Sequence, residues 1–493
     1  MSRRYGAREL IDIVLDEGSF QSWDRPADIS EHAPDYRATL AAAAEHSGVD
    51  ESVLTGLGRL NGRPVVVVIN EFQFLAGSIG RAAAERIVTA VQRATVARLP
   101  LLAATASGGT RMQEGTPAFV QMIEITRAIM RHRAAGLPYL AYLRHPTTGG
   151  VYASWGSLAH VTVGEPGALI GFLGPKVYEA LEGVPFPQGI QTAEHLADCG
   201  VIDAVAAPED LRGFADAALS VLVDTPSAPT LPVRLTAPKA PLPAWESIER
   251  TRSHGRIGVR DLLRYGASGT VRLRGTNEGE RDDSVLIALT RLDGQPCVVV
   301  GQDRERQDQH QQLGPSALRA ARRAMRLAEE LWLPLVTIID TPGAELSPSA
   351  EARAMAGEIA RCLATMASLT VPTISVILGQ GCGGGALALL PAHEVIATEH
   401  AWLSPLPPEG ASVIVHGDTA HAAELAAAQQ VRAADLLAHG VVHQVVAELD
   451  GESPRDLATA VVAAVARSLA AGRVVPDHAL EESRALHTGQ AAR

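Results

Sequence analysis

The residues whose types and spacing could do chemistry are glycines. Ser107-Gly108-Gly109-Thr110-Arg111-Met112-Gln113-Glu114-Gly115 follows the apolar run Leu101-Leu102-Ala103-Ala104-Thr105 and precedes a helix-like segment, Ala118 to Arg133. A strand, two glycines and a helix leave bare backbone N–H groups at a helix start, facing a place where negative charge can develop. Such a site suits an oxyanion. Gly149-Gly150 and Gly384-Gly385 also each follow a strand and open an apolar helix, at equivalent points of a duplicated fold. Two such sites in one chain imply a reaction in which two carbonyl oxygens carry charge.

Other chemistries find no foothold. There is no G-x-x-x-x-G-K-[ST] loop for a nucleotide, no G-x-S-x-G elbow and no H-E-x-x-H pair. His145 and His416 sit near glycine motifs but read as structural or surface residues. Arg111 stays open between capping local carbonyls, pairing with Glu114 and touching a ligand phosphate.

The elements that must hold these turns come in two copies. Arg59-Leu60-Asn61-Gly62-Arg63-Pro64 before Val65–Val68 is echoed by Arg291-Leu292-Asp293-Gly294-Gln295-Pro296 before Cys297–Val300. Leu99-Pro100-Leu101 leads to Gly108-Gly109 as Leu333-Pro334-Leu335 leads to Asp340-Thr341-Pro342-Gly343. Pro100 and Pro138 are separated by the same 38 positions as Pro334 and Pro372. Gly200-Val201-Ile202-Asp203 matches Gly440-Val441-Val442-His443. Matched landmarks in one order predict a duplicated α/β domain of strand-turn-helix units.

The predicted divisions are 1–223, a Pro-rich semi-rigid linker over 224–245 with Pro226, Pro229, Pro232, Pro238, Pro241 and Pro243, and 246–493. Residues Arg8 to Ala44 read as a helical lead-in, and the tail beyond Val475 as frayed.

A net charge of −12 argues against a nucleic-acid binder. Among 43 basic residues only Lys176 and Lys239 are lysines. Cys199, Cys297, Cys362 and Cys382 form no C-x-x-C pair, so no bound metal and no disulfide framework is expected. No leader or membrane-span pattern is read, which makes the cytoplasm the default location.

Longer stretches then carry a resemblance. Phe72 to Gly80, Ser107 to Gly115, Pro146-Thr147-Thr148-Gly149-Gly150-Val151 and Ile170 to Val177 resemble the β subunit of the bacterial acetyl-CoA carboxylase carboxyltransferase. Ile339 to Ala344, Gly379-Gln380-Gly381-Cys382-Gly383-Gly384-Gly385-Ala386 and Pro408 to Ser412 resemble the α subunit. The resemblance implies a β–α fusion with two tandem crotonase-like domains, each a ββα superhelix. It also implies transfer of CO2 from carboxybiotin to the α-carbon of an acyl-CoA, most simply acetyl-CoA, giving malonyl-CoA for fatty acid synthesis.

By position, Gly149 and Gly150 would bind the thioester oxygen, and Gly385 with Ala386 the biotin ureido oxygen, with Gly384 a further residue of the same catalytic turn. Gly108-Gly109 and Gly343-Ala344 would shape the facing walls and offer further N–H groups. Ser107, Arg111, Gly174 and Lys176 are the implied substrate contacts. Because the biotin nitrogen can take the α-proton, no side-chain base is required.

Neither lysine sits between methionines, so the implied biotin rides on a separate carrier protein, charged by a biotin carboxylase. A homodimer or larger homo-oligomer is implied as well. The family's N-terminal four-cysteine zinc ribbon is absent, and Gln380 stands where the family often has Glu. A malonyl-CoA or malonate decarboxylase of the same fold and a non-catalytic carboxylase paralogue are the rival readings.

Overall fold

The computed structural model describes residues 4–235, 242–307 and 312–472. Pro238, Lys239, Pro241 and the tail beyond Val475 lie outside the described residues. Two compact units emerge, Met1–Val223 with Asn277–Gly279, and Asp224–Thr276 with Glu280–Arg493.

In the first unit, Val53–Leu60 and Arg63–Asn70 form an antiparallel hairpin. Asn61 and Gly62 turn it, with φ of 48° and 80°, the positive values that a two-residue hairpin turn needs. The chain then lays down parallel strands Leu101–Ser107, Tyr139–Thr148, Val161–Gly164 and Ala204–Val205 in spatial order. Such strands are covered on both faces, which explains unbroken apolar runs such as Val65 to Ile69. Helices Arg81–Val96 and Gly115–Ala134 supply Ile87, Val91, Ile125 and Ile129 to a core shared with Val66, Val68 and Tyr139.

The second unit repeats this plan. Its hairpin, Val285–Leu292 with Gln295–Gln302, turns at Asp293 and Gly294, with φ of 42° and 84°. Parallel strands Leu335–Thr341, Thr373–Cys382, Glu394–Thr398 and Gln444–Val446 follow. Even the register is kept. Val66 lies beside Leu101 and Leu101 beside Tyr139, as Val298 lies beside Leu335 and Leu335 beside Thr373.

Two expectations gain detail. The lead-in is helical over Ala7–Val14 and Pro34–Ser47, but between them Gln21–Ser22 adds an edge strand to Val53–Leu60. The described part of the Pro-rich stretch, read as a semi-rigid linker, is also anchored along its length. Thr230 and Leu231 donate their N–H groups to Asp293 Oδ2, both at 2.8 Å, and Arg291 Nη2 donates to the Asp224 carbonyl at 2.6 Å. Proline lowers the cost of holding such a strap extended, and carboxylate and guanidinium pin it to the second unit.

Candidate active site

Strand Tyr139–Thr148 runs straight into helix Gly149–Tyr152, and Thr373–Cys382 into helix Gly383–Leu387. The joint is made in each case by one glycine in the left-handed region, Gly149 at φ 62° and Gly383 at φ 61°. A Cβ there would strain the backbone. Gly149 and Gly383 are therefore the equivalent positions, as are Gly150 and Gly384. The sequence pairing of Gly149-Gly150 with Gly384-Gly385 was one residue out of register, because three consecutive glycines carry no side chain to mark which one makes the turn.

The first residues of a helix have no intrahelical partner for their N–H groups. In the first unit Gly149 spends its N–H on the Phe172 carbonyl at 2.9 Å. Gly150, second in the helix and half-exposed, donates to no described residue. Its amide is the open donor of that turn.

In the second unit Gly384 and Gly385 are second and third in their helix, and neither amide has a described partner. Gly384 is half-exposed, whereas Gly385 and Ala386 are buried. Ala386 is the fourth residue, the first whose N–H the helical ladder takes up. The expectation that Ala386 donates to a ligand gives way to Gly384 and Gly385.

The neighbouring turns are walls. Gly108 gives its N–H to the Ala76 carbonyl at 2.9 Å, and Gly109 gives its own to Ser107 Oγ at 3.0 Å. Neither is bare, contrary to the sequence reading. Their value is closeness: a Cβ on Gly109 would stand 3.5 Å from the Gly150 nitrogen. Gly343 likewise gives its N–H to Thr341 Oγ1 at 3.1 Å. A Cβ on Gly385 would reach the Ala344 nitrogen at 3.4 Å and Leu313 Cδ2 at 2.8 Å. Each open turn thus lies against the loop from the preceding parallel strand.

Two implied substrate contacts are reassigned. Ser107 is fully buried and shapes the turn through Gly109. Arg111 is 1 % exposed and its guanidinium clasps Glu51 through both terminal nitrogens, with Glu114 Oε1 at 3.4 Å and the Ser78 carbonyl at 2.8 Å. Burial alone would pull its pKa down, but the Glu51 carboxylate carries it above the ordinary value. Arg111 has no hand left for a phosphate.

Gly174 and Lys176 remain at an open surface. Gly174 caps helix Pro175–Glu182 with nothing within 4 Å of where a Cβ would stand, and Lys176 is exposed. Strand Ile170–Gly171 and Phe172 bring this segment alongside Gly149. His145 accepts the Leu169 N–H at 3.1 Å, and burial lowers its pKa. His416 stacks on His421 with ring centres 4.3 Å apart.

The sequence reading missed Glu51, Asp340 as a support, and Gln302. Asp340 is fully buried, and its Oδ1 accepts the Gln380 N–H at 3.1 Å while Arg304 lies 3.4 Å from its Oδ2. Burial raises its pKa and Arg304 opposes that rise. No group of three or more His, Cys, Asp or Glu able to hold a metal ion occurs among the described residues.

Two glycine-built turns, each with open main-chain donors and a close wall, are a constellation for stabilising oxyanions. A family model described as the carboxyl transferase domain matches residues 4–478. A Mycobacterium tuberculosis protein named a probable biotin-dependent acyl-coenzyme A carboxylase beta3 subunit is 55 % identical over 470 residues, 95 % of this chain and 94 % of that one. An acetyl-coenzyme A carboxylase carboxyl transferase subunits beta/alpha protein of Saccharopolyspora erythraea is 37 % identical over 468 residues, covering 92 % and 82 %. The crystal structure of the transcarboxylase 12S hexamer shares the fold, with a TM-score of 0.76 and 22 % identity, covering 96 % of this chain and 91 % of that one. With a family model spanning nearly its whole length and open amides at both duplicated turns, the chain belongs to the carboxyl transferase family and is an enzyme of that class.

Proposed function

We propose that this chain is the carboxyltransferase component of a biotin-dependent acyl-CoA carboxylase, with acetyl-CoA as acceptor and malonyl-CoA as product. Its CO2 comes from carboxybiotin on a separate carrier protein that a biotin carboxylase charges. The names of its relatives support the class. The observation that carries the mechanism is the pair of open donor sets, Gly150 in one unit and Gly384 with Gly385 in the other.

Those donors fit both reactants, since each presents a carbonyl oxygen that gains negative charge. Carboxybiotin, when bound, supplies the CO2 and a nitrogen able to take up the α-proton. The Gly150 amide holds the thioester oxygen while the acyl α-carbon loses that proton, so the enolate charge meets a fixed dipole. Gly384 and Gly385 hold the second carbonyl oxygen. Each such donor contributes about 2.7–4 kcal/mol to the transition state. The Gly109 turn and the Gly343–Ala344 loop lie close against the donors. Glu114, the carboxyl nearest in sequence to a glycine motif, is taken by Arg111, by Tyr36 Oη at 2.8 Å and by the Arg81 N–H at 2.6 Å. It offers no free base, as a reaction borrowing its base from the co-substrate requires.

The test incubates the protein with malonyl-CoA and biotinyl-lysine and follows loss of the malonyl carboxylate, beside methylmalonyl-CoA and longer analogues. Biotin-dependent turnover fastest with malonyl-CoA is expected. Equal decarboxylation without biotin would replace this reading with a decarboxylase.

A further inference from the structure

At the end of strand Gln295–Gln302 one side chain reaches across to both loops of the second turn. Gln302 is fully buried; its Nε2 donates to the Gly385 carbonyl at 2.7 Å and its Oε1 accepts the Asp340 N–H at 3.0 Å. That carbonyl is available for a reason. In a five-residue helix the Gly385 oxygen would await the N–H of Leu389, but Leu389 donates to Ala386 at 3.2 Å instead. Where the short helix gives out, Gln302 takes over its last turn.

The first unit holds its turn differently. Asn70 ends strand Arg63–Asn70, opposite Val53, as Gln302 ends its strand opposite Val285. One methylene shorter, Asn70 turns its Nδ2 to the Ser52 and Gly77 carbonyls at 3.4 and 3.3 Å, and its Oδ1 has no partner among the described residues. The equivalent of Gly385 is Val151, whose carbonyl accepts the Ser154 N–H at 3.4 Å. The two turns share a backbone and differ in their clamp.

We propose that Gln302 is a positioning residue for carboxyl transfer: its carboxamide locks the Asp340–Gly343 loop to the Gly383–Gly385 turn and so fixes where the Gly384 and Gly385 amides point. The inference rests on the proposed function, with the second unit holding the biotin oxygen. The glutamine is suited to this because its carboxamide donates and accepts at once across that gap at any pH. Asn is too short to span it. Glutamate has the length, but when ionised it can only accept.

The experiment compares wild type, Gln302→Asn and Gln302→Glu in the exchange between malonyl-CoA and biotinyl-lysine, with melting midpoints recorded for each. In that exchange the bond from the malonyl α-carbon to its carboxylate breaks and a nitrogen–carboxyl bond forms. The nitrogen's proton passes to the α-carbon. Misplaced donors should lower kcat for Gln302→Asn about 100-fold, leaving the KM for malonyl-CoA unchanged. Gln302→Glu should be similarly slow at pH 8 and recover toward wild type as pH falls, because the protonated carboxyl regains its donor. That pH-dependent rescue is a signature that a merely structural loss would not give.

Folded variants with wild-type kcat, or a Gln302→Glu to wild-type ratio flat with pH, would remove Gln302 from this role and leave the proposed function standing. A rise in the KM for malonyl-CoA with unchanged kcat would overturn the assignment of the second unit to biotin. A wild type inert toward malonyl-, methylmalonyl- and longer acyl-CoAs would overturn both.

Discussion

Arg111 and Glu51 show what a single residue can hide. Arg111 lies inside the most recognisable motif of the chain, yet its main partner is 60 residues upstream, out of reach of any local reading. Removing one member of a buried ion pair strands the other charge, at a cost of about 3–5 kcal/mol. Glu51→Ala should lower the unfolding free energy by that amount in urea titrations, whereas a surface pair such as Arg127–Glu124 should cost under about 1 kcal/mol. His132 offers a pH test. It is fully buried between Thr95 Oγ1 at 3.0 Å and the Pro138 carbonyl at 3.2 Å, and burial lowers its pKa to about 4. The unfolded chain, with its ordinary histidine, therefore binds the proton first as the medium is acidified. His132 should cost nothing above pH about 6.5 and make stability fall progressively from there toward pH about 4. Denaturant melts across that range should show a shallower slope for His132→Gln.

At the scale of elements, the strand-to-helix joints were legible, and the hairpins could have been, because each depends on a local rule. Asn61-Gly62 and Asp293-Gly294 announce tight turns, and apolar runs before glycines announce parallel strands. What local rules do not encode is which amide is left over. That needs the hydrogen-bond partners, such as Ala76 for Gly108 and Phe172 for Gly149, contributed by segments far along the chain. What anchors the Pro-rich strap was unreadable for the same reason, since Asp293 holds it from a distant hairpin. The joints themselves can be tested. A Cβ at Gly150 would stand 3.3 Å from Thr110 Oγ1 and 3.4 Å from Met122 Cγ. Gly150→Val should therefore fill the donor pocket and cut kcat at least 100-fold, in steady-state assays on protein whose melting midpoint stays within a few degrees of wild type. Gly383→Ala should instead act on folding, since φ 61° at this joint costs an alanine about 1–2 kcal/mol.

Across the whole molecule the duplication was visible in spacing, and the structure adds that the copies keep the same strand register while supporting their turns with different residues. Large apolar side chains stay exposed on each unit, Phe119 at 61 % beside Val120 and Ile123 on one and Ile414 at 73 % beside Val413 and Val415 on the other, runs of the kind that suit a contact between subunits. Sedimentation should give a particle of at least twice 51.8 kDa, and Ile414→Asp should shift it toward the single chain. No described helix is long and apolar enough to cross a membrane. The placement of the open donors on the main chain has one further consequence. Cys382, one residue before the second turn, is 1 % exposed, and burial pushes its thiol up to about 12, so alkylating agents find no nucleophile there. A centre made of peptide groups, as proposed for this chain, would offer nothing to acylate, oxidise or titrate. Compounds that silence it must do so by shape, occupying the hollow a carbonyl oxygen would fill.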